Sequence, residues 1–253
     1  MKESLVTVDV LGFSVCADNV EEIVRHCLSG NRRFVVNTLN PHSWVLQRED
    51  KRFREALLLS DFLVPDGSGI VWACRFLEST SISKIAGFDL FLETLRQLNA
   101  ANGSVFLLGS TPNVLRAMAG RIDAEYPRVR VGCYSPPYKD EFDLSDLPVL
   151  VDEVERFCPD VLFIGLSAPK QEKLLRDLSA QVGFRMASGV GAVFDFYAGT
   201  VKRPHRIFVQ LHLEWLVRLL GEPKRLWRRT VVSAPVFVAA VTASKVRRLV
   251  SRL

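Results

Sequence analysis

An α/β fold with a mostly parallel sheet flanked by helices is predicted by three features of the sequence. Five short apolar runs have the composition of strands, turn residues follow several of them, and charged amphipathic segments come next. Short apolar strands that alternate with helices are typical of parallel sheets covered on both faces. The chain of 253 residues, 48% hydrophobic and 24% charged, is long enough to bury such a core, and its composition excludes a disordered or collagen-like protein.

The predicted elements alternate along most of the chain. Strands are expected at residues 34–36, 62–64, 105–108, 129–133 and 161–164. Helical patterns are found at residues 43–59, 113–126 and 171–182. Because no internal repeat and no low-complexity linker divides them, we expect one Rossmann-like α/β core over residues 1–199.

Charge separates residues 200–253 from this core. The whole chain has 33 Lys and Arg residues against 28 Asp and Glu residues, and residues 200–253 have 12 against 2, which leaves 21 against 26 for the first 199 residues. Arg218, Arg225 and Arg228 are spaced so that they can share one side of a helix or helix pair. We therefore expect a basic helical C-terminal appendage, whose partner is membrane lipid, a phosphorylated ligand or nucleic acid; the ordinary alternative is a solvated basic helix.

The basic appendage is not expected to cross a membrane. Residues 230–244 form its longest uncharged stretch, which has 15 residues and is interrupted by Ser233 and Pro235. A spanning helix needs about 20 apolar residues. The five cysteines form no Cys-x-x-Cys pair and the N-terminus has no secretory pattern, so we expect reduced thiols in the cytosol.

Glycine-containing turns follow several of the predicted strands. In open α/β sheets, ligands bind at the turns beyond the carboxyl ends of the strands. Gly109 and Ser110 follow one strand, and Pro112 stands at a plausible first helical position, so free backbone N–H groups there can hold a phosphate. Gly165 begins the turn after the strand at 161–164. The alternative for the first turn is a well-capped helix start with no ligand.

Asp66 is the best single candidate for a catalytic acid or base. It follows an apolar strand and precedes Gly67 and Gly69, which let the backbone approach a ligand closely. An aspartate that is ionised at pH 7 can act as a general base. The alternative is a residue that caps the next helix.

Three further polar residues are candidates for ligand contacts. Lys170 can meet a phosphate, and Gln171 can donate to a sugar or phosphate oxygen; the alternative is a solvent-exposed helix start with Glu172 in its first turn. Asp195 stands among three aromatic residues, where a carboxylate is expected to bind an arginine or to face a site.

Signatures of cofactors are weak or absent. Gly189-Val190-Gly191 begins a dinucleotide fingerprint, but Phe194 occupies its third glycine position. The chain contains no Asp-x-Asp pair to hold a divalent ion, and its four histidines are scattered. We therefore expect no cofactor and no metal, and a diphosphate would be neutralised by cations and backbone N–H groups.

Five motifs in a fixed order resemble those of a known family. They are Asn37-Thr38-Leu39-Asn40-Pro41, Pro65-Asp66-Gly67, Ala168-Pro169-Lys170-Gln171-Glu172, Gly189-Val190-Gly191-Ala192-Val193-Phe194-Asp195, and Leu213-Glu214-Trp215-Leu216-Val217-Arg218-Leu219 through Glu222-Pro223-Lys224-Arg225. From about residue 6 to residue 229, the chain resembles the WecG/TagA/CpsF family of bacterial glycosyltransferases (family 26). The resemblance implies metal-independent, inverting transfer of a hexose or N-acetylhexosamine from a UDP-sugar to a polyprenyl-diphosphate-linked sugar. It also implies peripheral association with the cytoplasmic face of the plasma membrane, and a role in cell-surface polysaccharide synthesis.

The resemblance also assigns roles to individual residues. Asp66 matches the proposed catalytic base, and residues 200–253 match an appendage that closes over the active site at the membrane. Together with the candidates above, the residues expected to bind substrate are Asn37, Thr38, Asn40, Gly67, Lys84, Gly87, Gly109, Ser110, Tyr138, Gly165, Lys170, Gln171, Asp195, Arg203, Arg218, Arg225 and Arg228.

Three departures from the family pattern affect these expectations. Lys84 stands where members often have arginine, so the charge is kept but bidentate phosphate geometry is lost. Arg203 is followed by Pro204 and His205 in place of the usual Ala-Pro. Residues 133–138 replace a more glycine-rich loop, and since that loop is expected to face the sugar, the donor is not copied from any one member.

Two functions from other classes remain as alternatives. A nicotinamide-dependent oxidoreductase has the same fold class but lacks the fingerprint described above. A nucleic-acid-binding module could use the basic tail, although a tail with an apolar helix and a long uncharged stretch suits lipid better than a duplex.

Overall fold

An eight-stranded sheet runs through the centre of the protein in the computed structural model, which describes residues 5–30, 32–201 and 227–251. The strands are β1 (Thr7–Val10), β2 (Phe13–Cys16), β3 (Phe34–Leu39), β4 (Phe62–Pro65), β5 (Ser104–Gly109), β6 (Arg130–Tyr134), β7 (Val161–Gly165) and β8 (Met186–Gly189). Their order is β1-β2-β4-β3-β8-β7-β5-β6, and all pairs are parallel except β1 with β2. The predicted α/β fold with a mostly parallel sheet is therefore confirmed.

Helices cover both faces of the sheet. The described α-helices are α1 (Val20–Leu28), α2 (Pro41–Leu46), α3 (Lys51–Leu58), α4 (Ser68–Glu78), α5 (Gly87–Ala101), α6 (Pro112–Glu125), α7 (Leu147–Phe157), α8 (Lys170–Ser179), α9 (Val193–Ala198) and α10 (Ala234–Val250). A π-helical turn, Arg228–Ser233, leads directly into α10. Helices α1, α5, α6 and α9 pack on one face of the sheet, which we name face A, and the other six pack on face B.

The core follows from the alternation of side chains along the strands. In β7, Val161 and Phe163 belong to the face A core, whereas Leu162 and Ile164 belong to the face B core. Successive side chains of a strand point to opposite faces, so a strand that is covered on both sides must be apolar throughout. This is why β7 reads as an unbroken apolar run in the sequence.

The element predictions are confirmed for all five strands and for two of the three helical segments. The segment 43–59 contains two helices, because Asp50 begins a new helix by accepting a hydrogen bond from the Phe53 N–H (3.0 Å). Three strands were not predicted. β8 reads Met-Ala-Ser-Gly, without the branched and aromatic residues that mark strands, and β1 and β2 are only four residues each.

The C-terminal helix α10 packs against face B of the core. Phe237 and Val241 are buried there, and the Phe237 ring meets the Trp44 ring edge to face with centroids 5.5 Å apart. Lys245 donates a hydrogen bond to the Leu77 carbonyl (3.1 Å). Within residues 5–30, 32–201 and 227–251, the structure contains no helix of the length and apolarity that a membrane span requires.

Candidate active site

The turns that follow the parallel strands meet at the C-terminal edge of the sheet. Strands β3, β4 and β7 lead into α2, α4 and α8 on face B, whereas β5 and β8 lead into α6 and α9 on face A. Because β8 lies between β3 and β7, and β5 lies next to β7, neighbouring turns diverge to opposite faces and leave a crevice between them. Open α/β sheets bind their ligands in such crevices.

Asp66 lies at this edge, directly after β4. Its N–H donates to the Leu39 carbonyl (2.9 Å), which holds the turn against the end of β3. The Asn40 side chain approaches it from that strand, with Nδ2 at 3.4 Å from Asp66 Oδ2. Gly67, with φ 91°, occupies the N-cap position of α4. Gly67, and not Asp66, is therefore the N-cap residue of α4, and the half-buried Asp66 carboxylate lies at the mouth of the crevice.

Asn40 is held in place by its own helix. Its Oδ1 accepts from the Ser43 N–H (2.9 Å) while Ser43 Oγ accepts from the Asn40 N–H (2.8 Å), a reciprocal capping box at the start of α2. Only one end of the carboxamide is used by the cap. The other end, Nδ2, is thereby aimed at Asp66, so the two predicted residues are brought together.

Asn37 and Thr38, from the same predicted motif, have different surroundings. Asn37 is buried within β3, and its Nδ2 donates to Ser60 Oγ at the end of α3 (3.0 Å). Its Oδ1 has no hydrogen-bond partner within the described part of the chain. Thr38 is half-buried and lies on the opposite face of the strand. Their roles in substrate binding stay predictions.

The turns after β5 and β7 approach each other closely. Gly109 pairs with Gly165 across the two strands and has φ 107°, and Ser110 is also left-handed at φ 59°. A Cβ at Gly109 would lie 3.0 Å from the Gly165 carbonyl oxygen, and a Cβ at Gly165 would overlap the Phe194 ring. The predicted helix start at Pro112 is confirmed, with Thr111 as its N-cap.

Lys170 and Tyr138 are brought together over the crevice. The Lys170 ammonium lies 4.9 Å from the centre of the Tyr138 ring and donates to the Lys139 carbonyl. Tyr138 belongs to the loop after β6 and is 89% exposed. The Tyr138 ring is therefore largely open to solvent, and the half-buried Lys170 ammonium lies against it.

Gln171 and Glu172 are both buried, so the alternative of a solvent-exposed helix start is wrong. Gln171 Oε1 accepts from the Gly191 N–H (2.8 Å), and Gln171 Nε2 donates to Glu172 Oε1 (2.9 Å). Burial raises the pKa of Glu172 to about 7, an effect that outweighs the opposing hydrogen bonds from Gln171 and the main chain. The sequence pattern did not single out Glu172, because a glutamate in the first turn of a helix is usually a surface residue.

Lys84 and Gly87 lie beside the Asp66 turn. The Ile85 N–H donates to the Pro65 carbonyl (2.9 Å), which ties the segment before α5 to the end of β4. A Cβ at Gly87 would lie 3.5 Å from Val193, so this segment also abuts the turn after β8.

Asp195 lies in α9, where Thr200 Oγ1 approaches its Oδ1 at 3.5 Å. The expectation that it binds an arginine or faces a site stays a prediction.

Arg203, Arg218 and Arg225 lie outside the described residues, and of Arg228 only the backbone is described, at the start of the π-helical turn. The described C-terminal segment also contacts the helix that Asn40 caps. His42, two residues after Asn40, has its Nδ1 2.8 Å from Ser233 Oγ, a contact that the sequence pattern did not indicate.

A cavity of about 520 Å³ opens at the opposite edge of the sheet. Two arginines that line it already have partners, because Arg33 donates to main-chain carbonyls and Arg176 pairs with Glu55 (3.0 Å). None of the predicted site residues lines this cavity. The crevice at the C-terminal edge, where those residues gather, is the better candidate.

Comparisons with known proteins identify the relatives of this chain. Residues 6–251 match the family described as glycosyl transferase WecG/TagA/CpsF. Three similar curated proteins are all named N-acetylglucosaminyldiphosphoundecaprenol N-acetyl-beta-D-mannosaminyltransferase. The one from Bacillus subtilis is 30% identical over 88% of this chain and 84% of its own length. The one from Bacillus spizizenii is 31% identical over 85% of this chain and 80% of its own length. The one from Staphylococcus aureus MRSA252 is 31% identical over 86% of this chain and 82% of its own length.

Proposed function

This chain belongs to the WecG/TagA/CpsF family and is a glycosyltransferase; on that premise we propose that it moves a hexose or N-acetylhexosamine from a UDP-sugar to a polyprenyl-diphosphate-linked sugar. The reaction is metal-independent and inverts the anomeric centre, and it serves the synthesis of a bacterial cell-surface polysaccharide. Family membership favours this function over a nicotinamide-dependent oxidoreductase and over a nucleic-acid-binding module.

The observation that carries the proposal is the pairing of Asp66 with Asn40 at the mouth of the crevice. The Asp66 carboxylate accepts the proton of an acceptor hydroxyl while that oxygen attacks the anomeric carbon of the donor. The bond from that carbon to the diphosphate oxygen breaks, and UDP leaves with the electron pair. One displacement from the opposite side inverts the configuration. Asn40 orients the carboxylate, because its own position is fixed by the cap of α2.

The departing diphosphate needs positive charge and N–H donors. The turn at Gly109 and Ser110 opens onto the N-terminus of α6, where free backbone N–H groups and the helix dipole favour an anion. Lys84, next to the Asp66 turn, and Lys170, over the Tyr138 ring, add positive charge at the same edge. Preorganised donors of this kind stabilise charge that develops in the transition state. The tail arginines Arg203, Arg218, Arg225 and Arg228 complete the set as the appendage closes.

The acceptor is a sugar carried on a polyprenyl diphosphate, as the names of the relatives state for theirs. Those relatives are named for the transfer of N-acetylmannosamine, which is therefore the first donor to test, as UDP-N-acetylmannosamine. The loop that contains Tyr138 lies at the edge of the crevice. We expect the sequence of this loop to determine which donor sugar the protein accepts.

A lipid-linked acceptor requires the site to work at a membrane surface. The outer side of α10 and of the turn before it exposes apolar residues, among them Val231, Val238 and Val246. Beside it, Trp72 and Phe76 on α4 are stacked with ring centroids 5.2 Å apart and are both exposed. Residues 227–251 contain five Lys or Arg residues and no Asp or Glu. Apolar and aromatic residues flanked by cations suit peripheral binding to an anionic bilayer.

The decisive experiment measures UDP release from a panel of UDP-sugars, with and without a lipid-diphosphate-linked N-acetylglucosamine acceptor. We expect release that depends on the acceptor, and a product whose new glycosidic bond has the anomeric configuration opposite to that of the donor by NMR. Retained configuration would contradict the single displacement. Absence of transfer with every donor would contradict the proposed reaction.

Membrane association is tested separately by flotation with vesicles. The protein should float with anionic vesicles and much less with zwitterionic ones, and floating should decrease with salt because the electrostatic part is screened over about 8 Å at physiological ionic strength. Trp72→Ser combined with Phe76→Ser should reduce flotation. Flotation that salt does not affect would contradict the peripheral, electrostatic mode.

A further inference from the structure

Glu172 is a buried carboxyl group that the proposed reaction does not use. Its side chain is 3% exposed, on the side of α8 that packs on face B. Oε1 accepts one hydrogen bond, from Gln171, and Oε2 has no hydrogen-bond partner among the residues that the structure describes. A buried polar group with half of its capacity unused destabilises a fold, so its presence calls for a reason other than stability.

The reason lies in the neighbouring carboxamide, which has two chemically different ends. The Gly191 N–H needs an acceptor, so Gln171 must present Oε1 to it, and this orientation turns Nε2 in the other direction. Nε2 then needs an acceptor of its own, and Glu172 Oε1 supplies it at 2.9 Å. If the carboxamide were reversed, Nε2 would face the Gly191 N–H and Oε1 would face the Glu172 oxygen. Glu172 therefore selects one of the two orientations of Gln171.

The Gly191 turn that depends on this orientation lies in the middle of the crevice. Gly191 has φ 57°, and the preceding residue, Val190, donates to the Ile164 carbonyl at the end of β7 (2.9 Å). A Cβ at Gly87 would lie 3.7 Å from the Val190 carbonyl oxygen, so the turn also supports the segment that carries Lys84. The Gln171 side chain lies flat on the end of β8, because a Cβ at Gly189 would come within 2.8 Å of its Cδ.

We propose that Glu172 is a positioning residue, which fixes the Gln171 carboxamide and through it holds the Gly191 turn in place for the reaction at Asp66. The contacts Glu172–Gln171–Gly191 form one chain of hydrogen bonds, and the turn at its end touches the elements that carry the proposed substrate groups. For its kinetic consequence this inference rests on the proposed glycosyl transfer. Its structural part stands independently of that transfer.

Hydrogen exchange on the full chain tests the structural part without any substrate. Glu172→Leu removes the acceptor, and we expect the Gly191 amide to exchange about three- to tenfold faster, which is the effect of losing one ordinary hydrogen bond. Glu172→Gln keeps an oxygen for Gln171 Nε2, so exchange should stay within about twofold of the wild type. Glu49→Leu, at an exposed position, is the control. Should the Leu variant not fold, Glu172→Met takes its place, since its flexible side chain fills a similar space.

Kinetics test the consequence for the reaction. We expect Glu172→Leu to lower kcat by about tenfold with little change in the KM for the donor, and Glu172→Gln to restore most of that loss. Equal exchange at Gly191 in the Leu and wild-type proteins would overturn the proposal, as would a Gln variant as impaired as the Leu variant in both measurements. If the wild-type protein transferred no sugar, the proposed function would fail while the exchange result would still decide the positioning role.

Discussion

Two carboxyl groups at the same edge of the sheet have opposite environments. Asp66 is half-buried and lies at the mouth of the crevice, beside the Asn40 carboxamide. Glu172 is enclosed in the core, and burial raises its pKa to about 7. The Asp66 carboxylate is accessible from solvent, whereas the Glu172 carboxyl contacts the neighbouring Gln171 carboxamide. In the proposed mechanism it is therefore exposure to solvent, and not residue type, that separates the carboxyl group that reacts from the one that positions its neighbours.

Asp66→Asn should have the strongest effect on turnover. The side chain keeps its shape but cannot accept the proton, so we expect kcat to fall by about 10²–10⁴-fold while UDP binding and the melting temperature change little. Steady-state kinetics, calorimetric titration with UDP and a thermal melt measure the three quantities. Asp123→Asn, at an exposed position of α6, is the control and should be near wild type. Near-wild-type turnover in the Asp66 variant would remove this residue from the mechanism.

The tail arginines provide the next largest effect. If Arg218, Arg225 and Arg228 complete the site, each change to Ala should lower kcat by roughly 10–100-fold even with a short, soluble acceptor, because charge that stabilises the leaving diphosphate is lost. Arg247→Ala, at an exposed position of α10, is the matched control for the loss of one tail charge. Full turnover with the soluble acceptor, together with weaker vesicle binding, would make the appendage an anchor and not a lid.

A smaller effect separates the two carboxyls by pH. The folded-state pKa of Glu172, about 7, lies above its ordinary value of 4.5, so between these values the folded protein holds a proton that the unfolded chain has released. The free energy of unfolding should therefore fall as pH rises from about 4.5 to about 7, and level off above. Glu172→Gln cannot ionise and should remove this contribution, which is on the order of 1–3 kcal/mol. Denaturant melts of both proteins at pH 5 and pH 8 measure this contribution. If the free energies of unfolding of the wild type and the Gln variant differed by the same amount at the two pH values, the raised pKa of Glu172 would be contradicted.

The sequence predicted the fold more completely than the site. Strands such as β7 are recognisable because two-sided burial forces an unbroken apolar run, and Asp66 because glycines follow it. Glu172 and the contact of His42 with Ser233 escaped prediction, since both depend on what a helix packs against. A first-turn glutamate has the same pattern whether it faces solvent or the core. The family resemblance supplied roles for single residues, but not the bonds that hold them.

The response of kcat to divalent ions distinguishes two possible roles of Asp66. A carboxylate at the end of a strand can be a base or a ligand of a divalent ion that carries the diphosphate, and both roles would make Asp66→Asn inactive. The two differ in one measurement. If backbone N–H groups, lysines and arginines neutralise the diphosphate, kcat should be the same within about twofold in EDTA and with added Mg²⁺ or Mn²⁺, because no ion is part of the reaction. A known metal-dependent glycosyltransferase, assayed in parallel, verifies that the EDTA treatment is effective. Loss of activity in EDTA that Mn²⁺ restores would make Asp66 a candidate ligand, and the contrast with Glu172 would then be one of metal binding and not of proton transfer.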